Sequence, residues 1–331
     1  SGDYYFNSYA HIEIHDQMLK DRVRTEAYRD FMYDNKHFFD GKIVLDVGCG
    51  TGILSMFAAK SGAARVFAVD NSNIIEQAKK IAKENGLDDR ITFIRGKVEE
   101  IKLPVPTVDI IISEWMGYFL LFEAMLDSVL VARDKFLAPD GILAPNRSSI
   151  HLIGIEDEGL MNDKIDFWSD VYGFKMQTVQ RTVYNEAIVD TVNAETRITD
   201  SCCLQSFDHN VVAAAQLDFK TKFTLRASKD ATLHAFLGYF DIDFETTADD
   251  TDARPVMFTT GPHGIETHWK QTIFVLKESL SVKEGDIITG VFTCQKSTEN
   301  QRELDLDISY WKVDENGTAL TESRSQSFQL R

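Results

Sequence analysis

Nine consecutive residues, Val44-Leu45-Asp46-Val47-Gly48-Cys49-Gly50-Thr51-Gly52, constrain the fold of this chain more than any other stretch. The apolar run from Ile43 to Val47 reads as a buried strand. Glycines follow at positions 48, 50 and 52, and a helix is expected to start near Ile53. Glycine adopts left-handed backbone conformations at little cost and lets the main chain pass close to a ligand. A dinucleotide-binding turn would carry its third glycine three residues after the second, where this chain has Ile53. A second run, Val66 to Val69, ends in Asp70, placed like the acid that accepts ribose hydroxyls in nucleotide-binding folds. Strand, glycine loop, helix, strand and acid together leave little room for an ordinary glycine turn.

The alternation continues downstream. Strands are predicted at Ile43–Val47, Val66–Val69, Ile91–Arg95, Val108–Ile112 and Ile142–Leu143, with helical segments between them. This is the pattern of a doubly wound parallel sheet with helices on both faces. Upstream, Leu19, Val23, Ala27 and Phe31 recur every four residues and predict a helix from about Asp16 to Asn35. Pro145 marks a change of style. In Leu304-Asp305-Leu306-Asp307-Ile308-Ser309-Tyr310 every second residue is apolar, the mark of a half-solvated antiparallel strand. Phe219–Leu225 and Phe240–Phe244 behave alike, so the second half is expected to be a sandwich or barrel. An insertion from about Leu160 to Asp200, with Trp168, Tyr172 and Phe174, reads as helical. The expected organisation is N-terminal helices over 1–40, a Rossmann-like domain over 41–145 and a β-barrel-like domain over 146–331.

At 331 residues, 44% apolar and 26% charged, the chain is long enough for two domains with sizeable cores. Its most apolar region, Ile110 to Ala132, is interrupted by Glu114, Glu123 and Asp127, which argues against a membrane span. No signal peptide opens the chain, and Ser1-Gly2 reads as an artificial start. Four cysteines without C-x-x-C spacing suggest neither a disulfide framework nor a zinc site, and fit the reducing cytoplasm or nucleus. The net charge of −17 argues against a direct nucleic-acid partner, whose phosphates demand a basic face. It suits cationic partners instead.

The carboxyl end of Val108–Ile112 should lie where open α/β sheets bind ligands. There the chain reads Ser113-Glu114-Trp115-Met116-Gly117-Tyr118-Phe119-Leu120-Leu121-Phe122-Glu123. On one continuous helix the two glutamates would fall on opposite faces, whereas a loop folding back at Met116-Gly117 makes them converge. Carboxylates in so apolar a run are costly without a cationic partner. A planar guanidinium fits, because its fork of donors takes two bidentate contacts. His11-x-Glu13-x-His15 hints at a metal clip but lacks a third ligand of suitable spacing, so no metal is expected.

The G-x-G-x-G spacing behind Asp46 is that of S-adenosylmethionine-binding loops. Taken with Tyr5-Phe6-Asn7-Ser8-Tyr9, the double-glutamate segment and Thr267-His268-Trp269, it makes the whole chain resemble a type I protein arginine N-methyltransferase. The glycine loop and Phe119–Glu123 are most similar to the third numbered member of that family, with the first also close. The resemblance implies that Arg24 meets the methionine carboxylate of the cofactor, Asp70 its ribose, and Glu99 with Val98 its adenine. It places Asp46, Gly48, Cys49, Gly50, His15, Met18 and Met125 around the cofactor, with Tyr5, Phe6 and Tyr9 as a lid. Glu114 and Glu123 would hold the substrate guanidinium, with Met116, Tyr118 and Trp269 walling its channel. His268 would form an orienting ion pair with Asp21. Cys49 is expected to matter for its small size, although a thiol there could be alkylated or oxidised.

The implied activity is methyl transfer from S-adenosylmethionine to arginine, giving mono- and asymmetric dimethylarginine and S-adenosylhomocysteine. Implied substrates are Arg-Gly-rich RNA-binding, ribosomal or histone proteins. The implied assembly is a homodimer through the 160–200 arm. An inactive cofactor-binding scaffold and a small-molecule methyltransferase remain as alternatives.

Overall fold

The computed structural model describes residues 12–246 and 250–331. Two helices, α1 (Ile12–Lys20) and α2 (Arg22–Asp34), stand where the apolar spacing predicts one. The break falls at Asp21, whose side chain accepts the Arg24 main-chain N–H at 3.1 Å and caps α2. An aspartate that can satisfy an orphan N–H favours a helix start over a helix interior. The four-residue spacing runs straight through this break and could not reveal it. Tyr28 and Phe31 of α2 pack on Phe244, with ring centroids at 4.9 and 5.0 Å. A single turn, α3 (Lys36–Phe39), leads into the sheet.

Strands β1 (Ile43–Val47), β2 (Arg65–Asp70), β3 (Ile91–Arg95), β4 (Val108–Ile112) and β5 (Leu137–Ala144) form a parallel sheet in the order β3-β2-β1-β4-β5. The order reverses between β1 and β4, the switch point where such sheets bind ligands. Helices α4 (Ile53–Lys60), α5 (Ile75–Glu84) and α6 (Met125–Phe136) connect the strands. β5 begins five residues before the predicted Ile142, because Pro139-Asp140-Gly141 conceals its first part as a turn.

From β6 (Arg147–Ile155) onward the pairing is antiparallel, apart from isolated bridges. The arm of α7 (Glu158–Lys164), a short turn at Asp166–Ser169 and α8 (Gln177–Val183) leaves β6 and returns as β7 (Ile188–Asp190). The remaining strands are β8 (Cys202–Asp208), β9 (Phe219–Arg226), β10 (Ala231–Phe244), β11 (Val256–Thr259), β12 (Gln271–Val282), β13 (Ile287–Lys296), β14 (Leu304–Val313) and β15 (Arg324–Leu330). They make one sheet in the order β7-β12-β10-β6-β8, with β11 on β10, and a second in the order β15-β14-β13-β9. β14 alternates as predicted: Leu304, Leu306, Ile308 and Tyr310 are buried, Asp305, Asp307 and Ser309 are not.

One apolar core runs through both halves. Phe119, from the loop after β4, plugs into the antiparallel half against Phe274 and Phe292, centroids 5.5 and 5.7 Å away. The double-glutamate segment is therefore gripped by both halves.

Candidate active site

A cleft of about 610 Å³ opens at the switch point, within the usual size range of small-molecule sites. Its floor is the glycine loop. Gly48 and Cys49 donate their N–H groups to the Val69 carbonyl at 2.8 and 3.0 Å. Gly48, Gly50 and Gly52 have φ of 74°, 54° and 84°, the left-handed region that other residues rarely adopt. A Cβ on Gly48 would collide with the Met125 methyl, and the His15 ring lies over Gly50. Asp70 accepts the Gly50 N–H on one oxygen at 2.9 Å and the Ser72 N–H on the other at 2.7 Å. A carboxylate has about four acceptor sites, so capacity remains for a ligand's hydroxyls. Glu99 accepts Ser128 Oγ at 2.5 Å, and Val98, Met18 and Met125 also line the cleft.

Two expectations need adjusting here. Asp46 does not line the cleft; it is fully buried behind the loop and accepts Ser55 Oγ at 2.6 Å. Burial pushes its carboxyl up to about 7, against the pull of the Ser55 hydrogen bond and with help from the Asp70 charge. The Cys49 thiol is pushed well above its ordinary range by burial and by the Asp70 and Asp46 charges. Reactivity belongs to the thiolate, so alkylation or oxidation at Cys49 is disfavoured.

The opposite wall is the loop after β4. Tyr28 OH donates to the Ser113 carbonyl at 2.8 Å, and Ser113 Oγ to the Val47 carbonyl at 2.7 Å, tying the ends of β4 and β1 together. Glu114 accepts Arg24 Nε on Oε2 at 2.9 Å and the Met116 N–H on Oε1 at 3.2 Å. Both partners of this ion pair are 7% exposed. Arg24 also donates from Nη1 to the Met18 carbonyl at 3.3 Å and to Thr25 Oγ1 at 3.1 Å. The chain then folds back at Gly117, whose N–H reaches the Leu120 carbonyl at 3.0 Å. A Cβ on Gly117 would overlap the Phe122 carbonyl. Phe119, Leu120, Glu123 and Ala124 all have positive φ, from 49° to 74°. This reversal brings Glu123 into the same cleft as Glu114. Tyr118 lines it too, its hydroxyl pKa raised by burial and by the Glu123 charge.

His268 and Trp269 come from the turn before β12. The His268 main-chain N–H and its Nδ1 both meet Asp21 Oδ2, at 2.9 and 2.6 Å. Burial alone would raise the Asp21 pKa, but hydrogen bonds from His268 and from the Arg24 N–H outweigh it and leave the carboxyl below its usual range. Asp21 does not line the cleft and reaches it through His268. Trp269 donates Nε1 to the Met116 carbonyl at 2.8 Å and stacks on Phe258 at 5.7 Å. Tyr5, Phe6, Tyr9 and His11 lie outside the described residues.

Two residues that shape this site went unread in the sequence, Tyr28 from behind the cleft and Arg302 within it. Tyr28 has no motif around it, and Arg302 sits in a polar turn that reads as a solvated loop. Arg302 lines the cleft and holds both main-chain polar groups of Glu123.

The donor set suits S-adenosylmethionine. Asp70 and Glu99 offer acceptors to hydroxyl and amino groups, Arg24 offers a guanidinium to a carboxylate, and the glycine cradle admits close approach. Comparison with known proteins agrees. Residues 44–141 match the model of a methyltransferase domain, and residues 146–315 that of the arginine methyltransferase oligomerization subdomain. Protein arginine N-methyltransferase 1 of Schizosaccharomyces pombe is 52% identical over 308 residues, 93% of this chain and 89% of the relative. The PRMT1 enzyme–prozyme heterotetrameric complex of Trypanosoma brucei with AdoHcy has a matching chain at 42% identity and TM-score 0.92, covering 98% of this chain and 100% of that one. Protein arginine methyltransferase 10 of Arabidopsis thaliana matches at 31% identity and TM-score 0.89, covering 99% and 100%. This chain belongs to the protein arginine methyltransferase family. It is an S-adenosylmethionine-dependent enzyme that combines a parallel-sheet cofactor domain with an antiparallel β domain.

Proposed function

We propose that the enzyme makes mono- and asymmetric dimethylarginine in Arg-Gly-rich proteins, with Glu114 and Glu123 clamping the substrate guanidinium. One observation carries this reading: a loop of left-handed residues delivers two carboxylates, nine positions apart in sequence, to one cleft beside a glycine cradle. S-adenosylmethionine supplies a methyl group already activated on a sulfonium. Arg24 would hold its carboxylate, Asp70 its ribose and Glu99 with Val98 its adenine. The residues of the chain then have mainly to align and polarise the acceptor. Each carboxylate accepts N–H groups from the guanidinium and draws positive charge toward its own edge. The remaining nitrogen, enriched in electron density, would take the methyl group as the carbon–sulfur bond breaks to leave S-adenosylhomocysteine, and the methylated guanidinium would release one proton to solvent. His268, fixed by Asp21, orients Trp269 as a wall of the channel.

Mass spectrometry of an Arg-Gly-rich peptide incubated with enzyme and S-adenosylmethionine tests the reading. Asymmetric dimethylarginine is expected. Only monomethyl or symmetric product would overturn the type I assignment, and no transfer at all would favour a scaffold or a small-molecule enzyme.

Self-association fits the same picture. Phe167, Tyr172 and Phe174 are exposed on the arm, within the part of the chain matched by the oligomerization subdomain. We infer a homodimer sealed by this arm. Replacing these three residues by serine should yield a folded monomer of low activity in sedimentation and turnover assays. A dimer that persists would contradict the assignment.

A further inference from the structure

Glu123 and Ala124 have φ of 74° and 55°, conformations that cost a non-glycine residue on the order of 1–3 kcal/mol. Such a pair persists only where its surroundings impose it. The surroundings here come from 179 residues away. The Glu123 N–H donates to the Arg302 carbonyl at 2.7 Å, and the Glu123 carbonyl accepts Arg302 Nη1 at 2.7 Å. Both peptide planes flanking Glu123 are thus tied to one residue, which sets the direction in which its side chain leaves the backbone. We propose that Arg302 is a positioning residue for methyl transfer, and that the turn between β13 and β14 holds Glu123 in its working orientation.

The turn is built to be stiff. The Arg302 N–H donates to Asn300 Oδ1 at 3.2 Å, and Asn300 Nδ2 donates to Glu303 Oε1 at 2.8 Å. The Ser297 N–H reaches the Glu303 carbonyl at 2.9 Å, and Arg331 pairs with the Glu303 carboxylate at 3.0 Å. At the end of β13, Lys296 Nζ grips both oxygens of Asp127, at 2.9 and 2.6 Å, in the first turn of α6. The barrel therefore fastens the chain on Glu123 itself and again four residues beyond it. Glu114 needs no such help, because it sits at the end of a sheet strand with its own partners Arg24 and Met116.

The inference rests on Glu123 holding the substrate guanidinium, so the experiment tests both together. Arg302→Ala, Arg302→Lys and Asn300→Ala are made in the wild-type and in the Glu123→Gln background. Asn300 does not line the cleft, so its replacement loosens the turn without removing a side chain from the cleft. Turnover and KM with an Arg-Gly peptide, S-adenosylhomocysteine affinity and thermal unfolding are measured for each. A reacting group displaced by about an ångström can lose roughly 100-fold in rate. Arg302→Ala should therefore lower kcat by about 10- to 100-fold, and Asn300→Ala by somewhat less. Arg302→Lys should recover part of the loss, since one donor still reaches the Glu123 carbonyl. Cofactor affinity should stay within about twofold of wild type, the direction a general loss of structure would not give. In the Glu123→Gln background the same substitutions should cost less than about threefold more, since groups acting as a unit are not additive. Unchanged kcat in Arg302→Ala and Asn300→Ala, or undiminished losses in the Glu123→Gln background, would overturn the proposal. Near-normal turnover of Glu123→Gln alone would instead overturn the clamp on which it rests.

Discussion

The parallel half and the antiparallel half furnish the cleft by different means. The parallel half uses strand ends. The glycine loop follows β1, Asp70 closes β2 and Glu114 follows β4, so sheet geometry alone brings them to one edge. The antiparallel half reaches in with turns. His268 meets Asp21 across 247 positions, Trp269 meets Met116 across 153, and Arg302 meets Glu123 across 179. The cofactor side is thus built within the N-terminal helices and the parallel half, whereas the substrate side is complete only once the two halves have docked. Damage to the docking should spare cofactor binding and remove transfer.

The largest effect that can break this comparison is expected at the two glycines that shape the walls. In Gly117→Ala the new methyl meets the Phe122 carbonyl, a main-chain atom that cannot step aside. Turnover should fall by more than about 1000-fold, as it does when a catalytic constellation is dismantled, with S-adenosylhomocysteine affinity within about tenfold. In Gly48→Ala the obstacle is the flexible end of Met125, and the strain comes from its φ of 74°. There cofactor affinity should drop by about tenfold, in line with 1–2 kcal/mol of backbone strain. Calorimetry and turnover assays on both variants check this. The reverse pattern would sink the division of labour.

Arg24 sits on the boundary and sharpens the comparison. Because it already grips Glu114 at 2.9 Å, it serves the substrate wall as well as the assigned cofactor carboxylate. Removing one partner of a buried pair costs about 3–5 kcal/mol. Arg24→Ala should lose about 100-fold in cofactor affinity and a further tenfold or so in transfer at saturating cofactor. Loss of affinity alone would confine Arg24 to the cofactor.

The smallest expected effect is on stability against pH, where the two halves oppose each other. Asp46 in the parallel half is pushed up to about 7, chiefly by burial, so the folded state holds its proton more tightly than the unfolded chain. Its contribution is present at acid pH and falls by up to ~1.4 kcal/mol per unit as pH rises from about 4 to 7. His209 in the antiparallel half is pushed down to about 4 by burial, and hydrogen-bonds Ser148 Oγ at 2.8 Å and the Pro145 carbonyl at 3.1 Å. Its contribution is present above about pH 6.5 and falls by a similar amount per unit as pH drops toward 4. Denaturant unfolding of the wild type should therefore change little between about pH 4 and 6.5 from this pair. Asp46→Asn should grow less stable toward acid pH and His209→Gln less stable toward neutral pH. Parallel pH profiles for the two variants would contradict the assignment.

Legibility in the sequence followed the same division. β1, β3 and β4 stand where they were predicted, because buried parallel strands are short apolar runs bounded by turns. The cleft gathers Gly48, Gly50, Asp70, Glu114, Glu123, His268 and Trp269, which sequence motifs single out, and Glu99, which the family resemblance implies. Asp46 went astray because a motif position does not say which way a side chain points. In β1 it is buried, away from the cleft. The break at Asp21 escaped because apolar periodicity is blind to a cap. Arg302 escaped because it holds Glu123 through two long-range hydrogen bonds, one to its main-chain oxygen and one from its side chain, and neither leaves a local pattern.

The central claim is that Glu114 and Glu123, one held by each half, clamp the substrate without serving the cofactor. Turnover on an Arg-Gly peptide, measured beside S-adenosylhomocysteine affinity for Glu114→Gln and Glu123→Gln, tests it most directly. Glutamine keeps the size and one acceptor oxygen but removes the charge that opposes the guanidinium. At about 3–5 kcal/mol for a broken buried pair, turnover should fall by roughly two to three orders of magnitude in each variant. Cofactor affinity should stay within about threefold for Glu123→Gln, whose main-chain partner Arg302 belongs to the antiparallel half. Near-normal turnover in either variant, or a loss of cofactor affinity in Glu123→Gln as deep as in Arg24→Ala, would contradict the clamp.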